Sequence, residues 1–330
     1  MDEEFFYFYN RILDLTAVGS IATKPLCFYI IVTKTPKFMR TVSYFMLNEL
    51  LWSIAGNLLY TLGHPLPMMP AECFRMDGLA GDWMKSEFLQ SLYLMAIAIT
   101  VINCCIGILT TFIVRYVTLH LTIMSQFYRV CSIVVVHLVA SLIVILLFLL
   151  WQMPVREYPE HDLPADTHNI FCFHPDTVTP LCFTIMFFGS TSFLIALFAY
   201  LSIRELRLKR YLMDKKTLTI QKEVLKNLLI ITGASVFFGT LPLIIYVVFA
   251  CKGKWPFARL IVLIAMLFPL NHGSIYALLI LYLFKPYRRT IADMAKAFLR
   301  VFKTPLRICR PSNSTSDNNV FHHVKSSVKY

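Results

Sequence analysis

The 330-residue chain alternates long apolar stretches with short polar segments up to about residue 284. A bilayer core of about 30 Å requires about 20 apolar residues per helix, and seven stretches approach or exceed that length. They are residues 15–33, 42–63, 88–114, 130–152, 178–203, 227–250 and 257–284. The pattern predicts seven membrane-spanning helices, and spans two to seven meet the length requirement easily. The first is the least regular, because a lysine such as Lys24 costs about 2.5–3.5 kcal/mol at a helix centre.

The charges of the connecting segments are sorted by side. Segments 34–40, 115–129, 204–226 and 285–330 hold 23 Lys and Arg against 5 Asp and Glu. Segments 1–14, 64–87, 153–177 and 251–259 hold 7 Lys and Arg against 13 Asp and Glu. Because cytoplasmic loops retain Lys and Arg, this sorting predicts an odd number of spans, with the N-terminus outside and the tail inside.

The span limits divide the chain into an extracellular N-terminus (1–14), a transmembrane bundle (15–284) and a cytoplasmic tail (285–330). Within the tail, apolar residues recur at helical spacing while basic residues occupy the other faces. The apolar positions are Ile291, Met294, Ala295, Phe298 and Phe302. This predicts a short amphipathic helix over about 287–303 that lies on the inner leaflet.

Composition supports a membrane protein and argues against a nucleic-acid-binding one. The chain is 57% hydrophobic, has a mean hydropathy of +0.64 and carries a net charge of +12. A soluble nucleic-acid-binding domain would gather its basic residues on one face, whereas here they lie between spans and in the tail. The positive segments are therefore expected to fix the orientation of the chain in the membrane and to attract anionic lipid. Membrane lipid is thus an expected partner.

No catalytic motif is present, and we expect no enzymatic activity, cofactor or metal. The chain lacks the Gly-x-Ser-x-Gly, His-Glu-x-x-His, Gly-rich phosphate-loop and Cys-x-x-Cys patterns. His161, His168 and His174 share one outside segment with several Asp residues. A metal site there is conceivable, but such a loop is more often simply solvated. A membrane enzyme is therefore ranked last among the functions considered.

Three cysteines, Cys73, Cys172 and Cys251, fall in predicted outside segments, where disulfides can form. A Cys73–Cys172 bridge is the first choice. The alternative, that one or both are free, stays open because connectivity cannot be read from a sequence.

Polar and helix-breaking residues inside the spans mark candidate functional positions, since they are costly in lipid. Lys24 and Glu49 would be the coupling or permeation groups of a transporter or channel, although no internal repeat supports that alternative. Pro242 in span six and Pro269 in span seven predict kinks. Asn271 lies beside the second kink, and the two kinked helices would provide hinges for a conformational switch.

Three stretches resemble nematode serpentine chemoreceptors, the Srh and Sri classes of the Str superfamily. Lys34-Thr-Pro-Lys-Phe-Met is similar to their Lys-Ser/Thr-Pro-Lys-x-Met, and Leu47-Asn-Glu-Leu-Leu-Trp is similar to their Leu-Leu-Asn-x-x-x-Trp. His272-Gly-Ser followed by Lys285-Pro-Tyr-Arg is similar to the ending of their span seven, and this ending favours the Srh class. The chain departs from other seven-helix receptors in two ways. No carboxylate precedes Arg115, and the Asn-Pro-x-x-Tyr ending is absent.

The resemblance implies an all-α, rhodopsin-like bundle of seven transmembrane helices. It also implies a chemosensory receptor in the plasma membrane of sensory cells, including their cilia, that signals through a heterotrimeric G protein. Depth in the spans suggests a binding site for a small, mainly apolar ligand, lined by Asn103, Phe183, Phe187, Tyr246, Phe268 and His272. The basic segments suggest a G-protein-facing set of Arg115, Tyr116, Arg207, Lys222 and Lys226. A member of the family that no longer signals remains an alternative.

Overall fold

The structure, a computed structural model, describes residues 3–36, 39–120, 126–159, 169–175 and 178–308. The helices are α1 (Glu3–Lys34), α2 (Arg40–Gly63), α3 (Leu79–Trp83), α4 (Glu87–His120), α5 (Gln126–Trp151), α6 (Val178–Leu208), α7 (Lys215–Ser235), α8 (Leu241–Cys251), α9 (Ala258–Leu283) and α10 (Lys285–Ile308). A π-helical turn, Val236–Thr240, joins α7 to α8, so that the two form one long helix.

These helices correspond to the predicted spans. Spans one to five are α1, α2, α4, α5 and α6, span six is α7 with α8, and span seven is α9. Helix α4 lies against α2, α5 and α6, while α9 lies against α1, α2 and α8. Residues 289–330 form a separate unit. The placement of α10 on the membrane surface stays a prediction.

The prediction misjudged which span is the weakest. In the described part of the chain, six helices are long and apolar enough to cross a membrane, and they include α1 but not α2. Helix α2 falls short because it carries polar side chains, and the structure buries Ser43, Glu49 and Asn57 against neighbouring helices. An inward-facing polar group lowers the average hydropathy of a span without meeting lipid.

Helix α1 is longer than its predicted span, since it begins at Glu3 rather than near residue 15. Its first turns are retained by packing. Tyr9 and Leu13, one helical turn apart, are buried in a cluster with Tyr60 and Leu66. Pro25 lies within α1, yet the helix continues to Lys34.

The two longest predicted outside loops form a small sheet, which the sequence did not predict. Strands β1 (Pro65–Pro67), β2 (Cys73–Met76), β3 (Gln152–Met153) and β4 (Ile170–Phe173) pair antiparallel in the order β1-β2-β4-β3. All four residues of β4 are buried, and the ring of Phe173 stacks on Trp151 with 4.8 Å between centroids. We call this end of the bundle the disulfide end. The opposite end, where residues 209–214 join α6 to α7, is the basic end.

Candidate functional site

A cavity of about 70 Å³ lies inside the bundle, among α2, α4, the α7–α8 helix and α9. Its apolar wall includes Trp52, Ile97, Val101, Met266 and Leu270. The polar groups among its lining residues come from Ser53, Asn57, Tyr60, Thr100, Cys104, Cys105, Ser235, Thr240 and His272. At roughly 10–15 Å³ of such volume for each water-sized group, the cavity accepts about five groups of that size. A cavity of this volume admits only a very small molecule.

His272 connects this cavity to the π-helical turn. Its Nε2 atom lies 2.8 Å from the Ser235 hydroxyl oxygen, the last residue of α7. Gly239, inside the turn, faces the same imidazole, because a Cβ atom there would stand 3.5 Å from the His272 Cγ. Isolated π turns interrupt the regular hydrogen bonding of a helix and are frequent at functional sites. A molecule in the cavity therefore touches the least regular part of span six.

The predicted kink residues lie around the same cavity. Pro269 lies inside α9 and lines the cavity, and Pro242 follows the π turn at the start of α8. The Asn271 side chain donates a hydrogen bond from Nδ2 to the Leu267 carbonyl oxygen of its own helix at 2.9 Å. Pro269 has no backbone N–H, so one hydrogen bond of α9 is missing. The Asn271 amide supplies an additional donor within the same helix.

Lys24 is almost fully buried, at 1% exposure, and its ammonium donates to the Ser53 carbonyl oxygen at 3.0 Å. Gly273 makes room for it. A Cβ on Gly273 would stand 2.7 Å from the lysine Nζ and 1.8 Å from the Ser53 hydroxyl oxygen. The lysine that interrupts span one is thus inserted between α2 and a glycine of α9.

Glu49 is buried as well, and its carboxylate accepts a hydrogen bond from the Tyr276 hydroxyl. One of its oxygens, Oε1, has no hydrogen-bond partner among the described residues. Neither Lys24 nor Glu49 lines the cavity. The transporter alternative rests on these two residues, which the structure buries outside the lining of this cavity.

Asn103 belongs to a different polar network, between α4 and α5. Its Oδ1 lies 2.6 Å from the His137 Nδ1 atom, and its Nδ2 donates to the Ser141 hydroxyl at 2.8 Å. The other imidazole nitrogen lies 3.0 Å from the Asn48 amide, and the ring stacks on Trp52. Asn103 is fully buried in this network and does not line the cavity.

The four predicted aromatic ligand residues also lie outside the cavity lining. Phe183 and Phe187 stack on one another along α6, with 6.2 Å between centroids. Tyr246 packs against the buried Tyr9 and Tyr60 cluster, and Phe268 is 43% exposed. Of the six predicted lining residues, only His272 faces the cavity, because depth along a helix does not specify which face a residue occupies.

At the basic end, the predicted partner-facing residues separate into two groups. Arg115 is mostly buried and donates from Nη2 to the Gln221 carbonyl oxygen of α7 at 3.1 Å. Tyr116 stacks on His120 and contacts Phe198 of α6. Arg207, Lys222 and Lys226 instead line a groove between α6 and α7.

Asn227 forms a second tie at the basic end. Its Nδ2 donates to the Leu283 carbonyl oxygen, the last residue of α9, at 3.1 Å. Helix α7 is therefore held on one side by Arg115 of span three and on another by span seven. The sequence analysis missed Asn227, although a buried amide within a charged helix is a detectable signal.

At the disulfide end, Cys73 and Cys172 are bonded, and their Cα atoms are 4.0 Å apart. Strand register places these two residues opposite each other, and Cys251 is not part of this bridge. His161 and His168 of the considered metal site lie outside the described residues, as does the tail beyond residue 308. Where the chain is described, no group of three His, Cys, Asp or Glu side chains is placed to hold a metal ion.

The cavity residues Trp52, Cys104 and Ser235 were not predicted. Small or hydroxylated residues inside apolar spans were the available signal, but it marks many positions that only pack between helices. Assigning these residues to one site required the rotation of each helix.

Comparison with known proteins was made against families, curated proteins and solved structures. The profile of the family described as "Serpentine type 7TM GPCR chemoreceptor Srh" matches residues 6–297. No curated protein matches. Squid rhodopsin is similar in structure, with a TM-score of 0.64 and 14% sequence identity, over 95% of this chain and 89% of that chain. At that identity the likeness establishes the fold alone, which is that of a rhodopsin-like bundle.

Proposed function

The chain belongs to the Srh family of serpentine seven-transmembrane chemoreceptors, and on that ground we propose that it is a chemosensory receptor for a small, mainly apolar molecule. It is an integral membrane protein, and both its family and its fold are those of seven-helix receptors. The proposed ligand enters from the disulfide end, and a heterotrimeric G protein is the proposed partner at the basic end.

The contact between the cavity and the π-helical turn is the observation that carries this proposal. Three lining residues, Ser235, Gly239 and Thr240, belong to or adjoin the turn, while Pro269 and His272 belong to α9, which contains Pro269 in its interior. A ligand shifts a conformational equilibrium only if it binds one state more tightly. A molecule held between two irregular helices has different contacts in each state, so it is suitably placed to do so.

The proposed switch is a movement of α7 about the π turn and Pro242. In the described state, α7 is held by the Arg115 bond to Gln221 and by the Asn227 bond to Leu283. Both ties use backbone carbonyl acceptors, so they break without leaving an unpaired carboxylate. The net contribution is about 0.5–1.5 kcal/mol for a neutral hydrogen bond such as that of Asn227, and about 1.5–3 kcal/mol for one from a charged group such as Arg115. A ligand can overcome both ties if its binding free energies for the two states differ by their sum.

We further propose that the G protein engages the basic end where Arg115 and Tyr116 lie. Movement of α7 would free the Arg115 guanidinium, which now points at Gln221, to contact the partner. The absence of an adjacent carboxylate fits this arrangement, since a backbone carbonyl takes the place of an acidic partner. The sorting of basic residues supports a cytoplasmic basic end and an extracellular N-terminus.

The ligand is expected to be smaller than most drug-like molecules, because typical small-molecule pockets measure 300–1,000 Å³ and this cavity measures about 70 Å³. Several polar groups of the lining already have hydrogen-bond partners inside the bundle, among them Asn57, which donates to the Ser20 hydroxyl. The His272 ring already pairs with Ser235, and Thr100 donates to the Ile97 carbonyl oxygen of its own helix. A compact apolar odorant with one polar group fits this lining best.

The test is a calcium response to an odorant panel in cells that express the chain, with cavity-filling variants. Cys104 lines the cavity, whereas Cys182 is exposed on α6. We expect Cys104→Leu to raise the half-maximal ligand concentration at least tenfold, and Cys182→Leu to leave it unchanged. Surface labelling of both variants verifies delivery. Equal responses of the two variants, at equal surface levels, would show that the ligand binds elsewhere.

A further inference from the structure

A groove of about 500 Å³ lies between α6 and α7 at the basic end. Three cationic side chains, Arg207, Lys222 and Lys226, line it together with apolar side chains from both helices. The apolar lining includes Leu206, Leu225 and Leu229. This groove is separate from the internal cavity, and the proposed receptor mechanism does not use it.

The groove opens away from the bundle interior. On α7, the side chains of Val224, Leu228 and Ile231 are buried and define the inward face. Lys222, Lys226 and Ile230 recur every four residues and are exposed. With 3.6 residues per turn, this exposed stripe lies nearly opposite the buried one. The groove therefore faces the surroundings of the bundle, at the boundary between the predicted cytoplasmic segment 204–226 and the adjoining spans five and six.

The three cations lack acidic partners in the part of the chain that is described. Glu205, the nearest acidic residue along α6, points toward α4, where its carboxylate lies 3.2 Å from the His120 ring nitrogen. Lys222 and Lys226 stand one helical turn apart, and like charges at that spacing repel each other. An anion bound between them and Arg207 would remove this repulsion.

Polarity changes in the same direction along both walls. On α7 the groove runs from Lys222 and Lys226 to Leu229 and Ile230, toward the middle of the membrane. On α6 it runs from Arg207 to Ile203 in the same direction. Charge at the membrane surface followed by apolar lining is the order of a phospholipid, from head group to acyl chain. A soluble anion has no apolar group that would contact the apolar part of the lining.

We propose that this groove binds an anionic phospholipid of the cytoplasmic leaflet. The phosphate oxygens contact Arg207, Lys222 and Lys226, and the first part of an acyl chain lies on Leu229 and Ile230. The assignment to the cytoplasmic leaflet rests on the orientation given under the proposed function. Binding itself needs no ligand or G protein and is measured without them.

The test uses the full-length receptor, purified in detergent and titrated with dioctanoyl phosphatidylinositol bisphosphate. A groove variant, Arg207→Gln with Lys222→Gln and Lys226→Gln, is compared with a control variant of equal charge change. The control carries Arg204→Gln, Lys215→Gln and Lys216→Gln, which are exposed residues of the same region that do not line the groove.

We expect the groove variant to bind the lipid roughly a hundredfold more weakly than the unmodified receptor, since each basic residue near an anionic surface contributes about a fivefold factor. The control variant is expected to change binding far less. Inorganic phosphate and inositol trisphosphate, which lack acyl chains, should bind at least tenfold more weakly than the lipid. Thermal unfolding of each variant verifies that it is folded.

Three results would overturn the proposal. Equal losses in the two variants would mean that only overall charge matters. Equal binding of the lipid and of inositol trisphosphate would mean a soluble-anion site. A groove variant that binds lipid normally but no longer activates the G protein would make Arg207, Lys222 and Lys226 a protein-docking surface. A failed odorant response would refute the receptor function without affecting the measured lipid binding.

Discussion

Replacing Gly273 by alanine tests the packing around the buried lysine directly. The added Cβ would stand 1.8 Å from the Ser53 hydroxyl oxygen and 2.7 Å from the Lys24 Cε and Nζ atoms. Such separations are far below van der Waals contact, so either the serine rotates and the lysine withdraws, or α9 shifts. Lys24 cannot withdraw freely, because it would lose its 3.0 Å bond to the Ser53 carbonyl oxygen while remaining buried.

The magnitude follows from these two costs. Overpacking a core costs about 1–3 kcal/mol, and leaving a buried donor unpaired costs about 1–3 kcal/mol or more for a charged group. Alanine in a helix regains about 0.5–1 kcal/mol over glycine. We therefore expect Gly273→Ala to destabilise the bundle by about 1–5 kcal/mol, where the range follows from combining these terms.

The assay is thermal unfolding of the purified receptor, with surface delivery as a second readout. Gly19→Ala and Gly233→Ala are matched controls, because both glycines are helical and a Cβ on either has no atom within 4 Å. The controls should be neutral or stabilised. The double variant Gly273→Ala with Ser53→Ala, which removes the nearest atom, should recover part of the loss. A Gly273→Ala receptor that melts with the controls would falsify the described insertion of Lys24.

Two further predictions address the switch and the disulfide. Asn227→Ala removes the bond from α7 to the Leu283 carbonyl oxygen, so we expect higher ligand-independent signalling. The control Thr219→Ala removes only a bond within α7 itself, and equal basal activities of the two variants would contradict the role of the tie. Replacing Cys73 and Cys172 by serine removes a link between residues separated by 99 positions, so we expect the free energy of unfolding to fall by about 2–5 kcal/mol. The measurement is thermal unfolding with and without reductant. If reductant still destabilises the double serine variant, its effect belongs to another group.

The number and order of the spans could be predicted because they depend on apolar length along the chain, while their orientation stays a prediction from charge. An apolar stretch must reach across the bilayer whatever its neighbours do, and Lys and Arg are retained on one side independently of packing. The kinks at Pro242 and Pro269 stay predictions, although their signal is equally local, since a proline acts on its own backbone. Even so, α2 shows the limit, because its polar side chains lowered its hydropathy while facing inward.

The sequence by itself thus determined a seven-helix membrane bundle and its family, through properties that belong to single segments. Only the tertiary structure decided which residues meet, because this depends on the rotation of each helix and on contacts between distant segments. Asn103 and His272 both looked like ligand residues, yet one is tied to His137 and only the other faces the cavity. Likewise, Lys24 interrupts the apolar pattern of span one in the sequence. In the structure, the missing side chain of Gly273 leaves the space that its ammonium group occupies.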